Sequence, residues 1–390
     1  MPQPLEGVRI ADFSHVIAGP LATQFLCLLG AEVIKIEPPR GDAMRFYTRD
    51  PARRGMAEPF VASNAGKKSV VLDLKTEAGQ RAAQDIIASA DIMVENFRPG
   101  VAARLGLDAN SLTLNNPSLI YCAVSGFGQS GPMKDYPAID QVIQSMSGLM
   151  YLSGKQDDDA QRIGFPIVDT YTALLAAFAI LAAYTQRQAD PARRGQIIDV
   201  SMLDASMVLM SSVLAPLMIS ATAPVRAGNR GFSGQPTADT FKTQDGDITI
   251  GAVQDIQVER LFRAMQLEHL LQDDRFSTQS ARLQNDEALH AILSAAFATK
   301  PAEHWEDLLA KTGVPAGKLR NVAEALDLDQ LKGRGLFQPI TDPVTGDTIQ
   351  VPNAGFMFAH DGPGQVGAPP HLGADTETVL KSLKSKAKRA

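Results

Sequence analysis

Cysteine is scarce in this chain: Cys27 and Cys122 are all that its 390 residues hold. Two thiols cannot build a disulfide framework, and together with six scattered histidines they fall into no metal-ligand spacing, so no metal is expected. A strong excess of one charge is also missing. Lys and Arg number 37 against 43 Asp and Glu, a formal charge of -6, which argues against a broad electrostatic grip on nucleic acid. A local basic pocket for one small phosphorylated ligand stays open. The opening MPQPLEGVRI lacks a basic stretch followed by an apolar one, so no signal peptide is expected. The longest apolar run, Ala173 to Tyr184, falls short of the roughly 20 residues that cross a bilayer. The expectation is a cytoplasmic protein with no membrane partner. What is present is ordinary packed-protein composition, 45% apolar and 21% charged, at a length of about two or three domains.

The first part of the chain alternates strand-like and helix-like patterns. Val8–Phe13, Glu32–Ile36, Ser69–Leu74, Asp91–Glu95, Leu119–Val124 and Gln196–Val200 read as strands. Thr76 is placed to cap a helix carrying Ile86 and Ile87, and 170–188 reads as one long apolar helix. Strands alternating with helices predict an α/β fold, a Rossmann-like doubly wound sheet covered on both faces. From about Ala221 the pattern changes. Phe241–Ile250 reads as a hairpin turning at Asp245-Gly246, the dipeptide of a type I′ turn, and helices follow at about 256–271, 286–299 and 301–312. The expected division is a large domain, 1–220 plus 335–390, and a smaller α+β domain, 221–334. Ile340–Val351 reads as a second hairpin, and the tail from Gln365 ends in a short basic helix.

Both G-x-G-x-x-G and Walker A motifs are absent, so the usual dinucleotide and nucleoside triphosphate readings lose support. Gly128-Gln129-Ser130-Gly131 is not a nucleophile elbow, and the Asp157–Asp159 run lacks a calcium loop's glycine and terminal glutamate. Ligands of parallel sheets bind at the carboxyl ends of the strands, which directs attention to three loops. Ser14–Pro20 follows the first strand, Glu37–Asp42 the second, and Asn96–Gly100 the fourth. Arg40, Arg98 and Arg104 on or near these loops suit phosphate recognition through forked hydrogen bonds. Asp169 stands directly before the long apolar helix. Two readings apply to it: a capping carboxylate, or a nucleophile that attacks an activated acyl group.

Many segments together resemble the class III coenzyme A-transferase family, which includes the alpha-methylacyl-CoA racemases and formyl-CoA transferase. They are LEGVRIADFSHVIAGPLATQFLCLLGAEVIKIEPPRGD, NAGKKSVVLDLKTEAG, ADIMVENFRPGVAARLGLD, NPSLIYCAVSGFGQSGP, QSMSGLM, RRGQIIDVSMLDA, the Arg275-Phe276 and Arg282 pattern, and GVPAG at 313–317. The resemblance runs in order along nearly the whole chain. It implies two subunits threaded through one another as an interlocked homodimer, with acyl-CoA and a carboxylic acid as substrates and no cofactor besides. It places Asp169 on the family's catalytic aspartate. Coenzyme A contacts would fall to Ile17, Ala18, Arg40, Leu72, Asp73, Leu74, Lys75, Asn96, Phe97, Arg98, Arg104, Pro137, Ala138, Ile139 and Asp140.

The related racemases carry a histidine where this chain has Ile139, and isoleucine cannot serve as one of the two bases that exchange an α-proton. Transfer is therefore the expected reaction, with an acyl-CoA racemase or isomerase as the alternative. The resemblance implies a covalent aspartyl-CoA thioester, with backbone amides near Asp169 stabilising the oxyanions. Ile17 replaces a glutamine of formate–oxalate members, and Gly251–Asp255 lacks their glycine run. Those departures count against formate–oxalate exchange. The Phe241–Val253 hairpin and the GVPAG segment resemble members that use short dicarboxylates, often with succinyl-CoA as donor, so a short dicarboxylate acceptor is expected.

Overall fold

The computed structural model describes residues 2–364 and 366–387. Gln365, where the tail is expected to begin, and the last basic residues, Lys388 and Arg389, lie outside the described residues. The chain forms two compact units, one of Met1–Met150, Arg162–Thr222 and Gln330–Ala390, the other of Tyr151–Gln161 and Ala223–Asp329.

The first unit is built on six strands: β1 (Arg9–Asp12), β2 (Glu32–Glu37), β3 (Lys68–Val71), β4 (Ile92–Glu95), β5 (Ile120–Ser125) and β6 (Ile197–Ser201). Every neighbouring pair is parallel, in the order β3-β2-β1-β4-β5-β6. All six residues of β5 are buried, as expected of a strand with packed layers on both faces. On one face α1 (Ala18–Leu28) and a 23-residue helix, Ile167–Ala189, close over Ile10, Val94 and Val124 through Leu26, Ala176 and Ile180. On the other, α2 (Glu77–Ala88) and the helix Thr376–Ala387 cover Ile36 and Met93 with Ile86, Ile87 and Val379. The Thr76 hydroxyl accepts from the Gly79 amide at 3.1 Å, so α2 starts where its cap residue predicts.

Several details differ from the sequence reading. β3 stops at Val71, which leaves Leu72–Lys75 as loop. The helix Ile167–Ala189 is longer than the apolar run and is long and apolar enough to cross a bilayer by length and composition; here Ala173, Ala176, Ala177 and Ile180 pack into the core. It begins three residues before the expected start, because its cap comes from elsewhere in the chain. A short helix, α3 (Asp140–Met146), precedes it, making the long helix α4. Phe337–Thr341 and Thr348–Pro352 pair antiparallel, as the second hairpin requires.

The second unit holds a three-stranded antiparallel sheet, β7 (Thr240–Lys242), β8 (Asp247–Ile250) and β9 (Ala316–Lys318), packed on a core containing Phe241, Phe262, Phe297 and Leu309. Tyr151–Gln161 belongs with this unit, although the sequence reading assigns all of 1–220 to the large domain; a bridge between Lys155 and Ala227 ties it in. The hairpin does not turn on Asp245-Gly246. Lys242 pairs with Asp247, leaving four residues between, and Thr243 donates to the Gly246 carbonyl at 2.8 Å. Asp245 is drawn instead to the amide of Ala302 at 2.8 Å, where it supports the start of the helix Ala302–Thr312.

Candidate active site

The site grows from the loop after β1. Asp12 is buried at the strand's end, where its carboxylate accepts from the hydroxyls of Ser14 at 2.5 Å and Thr23 at 2.7 Å and from the Lys67 ammonium at 3.0 Å. Burial alone would favour the neutral acid; Lys67 and Lys35 outweigh it and hold the Asp12 carboxyl below its usual range. The same burial pulls Lys67 down to about 8, against the pull of Asp12. Gly19 is required in the first turn of α1, since a Cβ there would stand 2.2 Å from the Ser14 Cβ.

Between them Val16 adopts φ 71°, a left-handed conformation that costs a β-branched residue strain. Its amide points at both carboxylate oxygens of Asp42, each 3.3 Å away. The backbone of its neighbour His15 is gripped by the Asn96 side chain, which accepts from the His15 amide at 2.8 Å and donates to its carbonyl at 2.7 Å. Burial disfavours an ionised Asp42, yet the nearby His15 ring, 3.8 Å away, and the Lys35 ammonium at 2.9 Å hold it well below the usual carboxylate range. The loops after β1, β2 and β4 are thus locked together at the point where the strand order reverses.

Two cavities open along these loops. The larger, about 960 Å³, has apolar walls of Phe13, Ile36, Leu72, Phe97 and Leu105, with Arg40, Arg54 and Lys75 among them; Asp73 and Leu74 also line it. The smaller, about 270 Å³, contains Asp169 together with Ile17, Ala18, Asn96, Phe97, Arg98, Ala138 and Ile139. Phe97 lines both. Of the residues expected to contact coenzyme A, Arg104, Pro137 and Asp140 line neither. Arg104 ends the short helix Val101–Arg104, whose Val101 faces the larger cavity.

Asp169 lies in the first turn of α4, and the capping reading of it fails. Among the described residues its carboxylate accepts no hydrogen bond, and the cap is Asp140. One oxygen of Asp140 accepts from the amides of Val168 at 2.8 Å and Asp169 at 3.1 Å; the other accepts from Gln144 at 2.6 Å. Gln144 in turn accepts from the Ile163 amide at 2.9 Å, which fixes the approach to α4. Burial, then the nearby Asp140 charge, push the Asp169 carboxyl up to about 7. A half-buried acid with a raised pKa beside small residues and two cations has the properties of a carboxylate nucleophile. Nothing in the local sequence marks Asp140 as a cap for a helix so far downstream. Lys134 and Tyr136, which also line the smaller cavity, carried no motif either.

Residues 5–376 match CoA-transferase family III. The chain belongs to this family. The acetyl-CoA:oxalate CoA-transferase of Acetobacter aceti is 36% identical over 369 residues, covering 93% of this chain and 92% of that protein. The succinyl-CoA:glutarate CoA-transferase of Mus musculus is 34% identical over 382 residues, covering 98% and 86%. A crystal structure of a CAIB/BAIF family protein from Brucella suis superposes with a TM-score of 0.87 at 31% identity, covering 98% of this chain and all of that one. This family III member therefore presents the family's α/β architecture with a parallel central sheet, and Asp169 stands in its smaller cavity.

Proposed function

We propose that the protein moves coenzyme A from an acyl-CoA donor, with succinyl-CoA as the natural one, to a short dicarboxylic acid through a β-aspartyl-CoA thioester on Asp169. The observation that carries this reading is the placement of Asp169, unpaired and with a raised pKa, in a small cavity that shares Phe97 with the lining of a larger one holding Arg40, Arg54 and Lys75. The large cavity suits the nucleotide: aromatic and aliphatic walls for the base, Arg40 and Lys75 for phosphates. The strand order supports a Rossmann-like doubly wound domain binding its ligand at the switch point between β1 and β4.

The chemistry then runs in four steps. The Asp169 carboxylate attacks the donor thioester carbonyl, the C–S bond breaks, and a mixed anhydride and CoA thiolate result. The thiolate attacks the aspartyl carbonyl and the donor acid leaves as carboxylate. The acceptor carboxylate attacks the aspartyl thioester, expelling thiolate and forming a second anhydride. The thiolate finally takes the acceptor acyl group, and Asp169 returns to its carboxylate. Each step develops an oxyanion. The amides of Val168 and Asp169 are taken by Asp140, so the first turn of α1, whose Ala18 lines the same cavity, supplies the backbone donors and the positive end of a helix dipole. Among the described residues no histidine lines the smaller cavity, and Ile139 faces it instead, which supports transfer over racemisation.

Two subunits complete the assembly in this reading. Leu174 and Phe178 on α4, and Met218 and Ile219 on the helix Ser211–Ser220, are exposed apolar side chains that a second copy in an interlocked homodimer would cover. The test of the chemistry is trapping. Incubation with acyl-CoA donors and a hydroxylamine quench should leave a hydroxamate on Asp169, seen by peptide mass. Asp169→Ala should keep CoA binding and lose transfer; turnover retained by that variant would sink the assignment.

A further inference from the structure

The cations of the two cavities along the strand-end loops are divided between them. Arg40, Arg54 and Lys75 line the larger; Arg98 and Lys134 line the smaller, beside Asp169. Arg98 follows Phe97, the residue common to both linings. Lys134 lies on the loop after β5, and among the described residues it makes no ion pair. Its backbone amide donates to the Gly131 carbonyl at 3.4 Å, and Tyr136, Ala138, Ile139 and Met202 are among the other residues that line the cavity. One carboxylate therefore shares a small cavity of mixed polar and apolar lining with an exposed lysine that is not part of the larger cavity's lining.

We propose that Lys134 binds the distal carboxylate of the acceptor acid, and so selects dicarboxylates over monocarboxylates. This rests on the reading of Asp169 as the covalent nucleophile. The proximal carboxylate must approach the aspartyl carbonyl, while the second carboxylate, held a short chain away, must not lie in an apolar wall without a partner. An ammonium on a flexible stem answers that charge for acids of more than one length. A monocarboxylate offers Lys134 nothing, so the lysine's contribution appears as a ratio between acceptors.

The experiment measures kcat/KM for succinate and glutarate against butyrate and pentanoate, with a fixed acyl-CoA donor, in the wild type, Lys134→Met and Lys134→Arg. Loss of a hydrogen bond between charged groups predicts that the dicarboxylate-to-monocarboxylate ratio falls about 10- to 100-fold in Lys134→Met. Lys134→Arg should restore most of it, which a merely structural role would not require. An unchanged ratio overturns the assignment, as does an effect confined to the KM for acyl-CoA, which would give the lysine to the nucleotide. Hydroxylamine trapping with donor alone separates the two readings. If wild-type Asp169 forms no hydroxamate, the covalent reading falls and takes this one with it. If it forms one and the ratio does not move, the Lys134 assignment alone is lost.

Discussion

Asp140 accepts the amide of Asp169 at 3.1 Å while its charge helps raise the carboxyl of that same residue. The two acids do opposite work. Asp140 is fixed by three donors and satisfies the open end of α4, and Asp169 is left without any donor of its own. An ionised Asp169 is consequently poorly stabilised and more basic than an exposed aspartate, which favours attack on a thioester.

The first prediction concerns pH. The nucleophile must be ionised, and its carboxyl is raised to about 7. At limiting acyl-CoA, transfer should climb with pH through about 7 and level off above it. Asp140→Asn removes the like charge and so lowers the Asp169 pKa, moving the acidic limb of the profile to lower pH even as the weaker cap lowers kcat. A pH–rate profile of both proteins tests this; an acidic limb that stays in place removes Asp140 as a cause.

Stability gives the second. A carboxyl whose folded pKa lies above its unfolded one binds more protons when folded, so its contribution is fully present below about 4 and is lost as pH rises towards 7. Asp169→Asn mimics the protonated acid at every pH. The variant should abolish transfer yet melt about 2 °C or more above the wild type at pH 8, with little difference at pH 4. Calorimetry at the two pH values decides it.

Much of this architecture is legible in the sequence because it is local. The six strands announce themselves as short β-rich runs, Thr76 announces α2, and Gly313 at φ 75° ends the helix Ala302–Thr312 as a glycine there should. What is illegible is tertiary. Asp140 caps a helix that starts 27 residues later, Asp245 leaves its own turn to serve Ala302, and Arg45 is buried between Glu37, the Gly55 and Pro370 carbonyls and the Phe60 ring. No pattern of spacing encodes such partners. Asp169 itself stands out only through the resemblance to a family; residue spacing alone is compatible with both cap and nucleophile.

The third prediction separates the two cavities. Arg40 and Lys75 line only the larger one, away from Asp169. Replacing either with alanine should raise the KM for acyl-CoA by roughly 10-fold, the scale of one charge-assisted hydrogen bond, and leave kcat far less affected. Steady-state kinetics with a saturating acceptor tests the split. A fall in kcat with KM unmoved would place these side chains at the reacting atoms instead.

The fourth returns to how Asp140 is held. Gly126 closes β5 against the segment that leads to Asp140, and a Cβ at Gly126 would stand 2.2 Å from the Cβ of Ala138. Real side chains do not tolerate that approach, so Gly126→Ala must push Ala138 aside and, through it, Ile139 and Asp140. The expected cost is about 1–3 kcal/mol of stability, together with a loss of kcat as the cap slips from Asp169. Because the clash is between two named methyl groups, removing the second should relieve the first. The double variant Gly126→Ala/Ala138→Gly should recover most of both losses, and the coupling between the sites is read from the four melting temperatures and four kcat values. Additive losses in the double variant would show that Gly126 acts through some other contact.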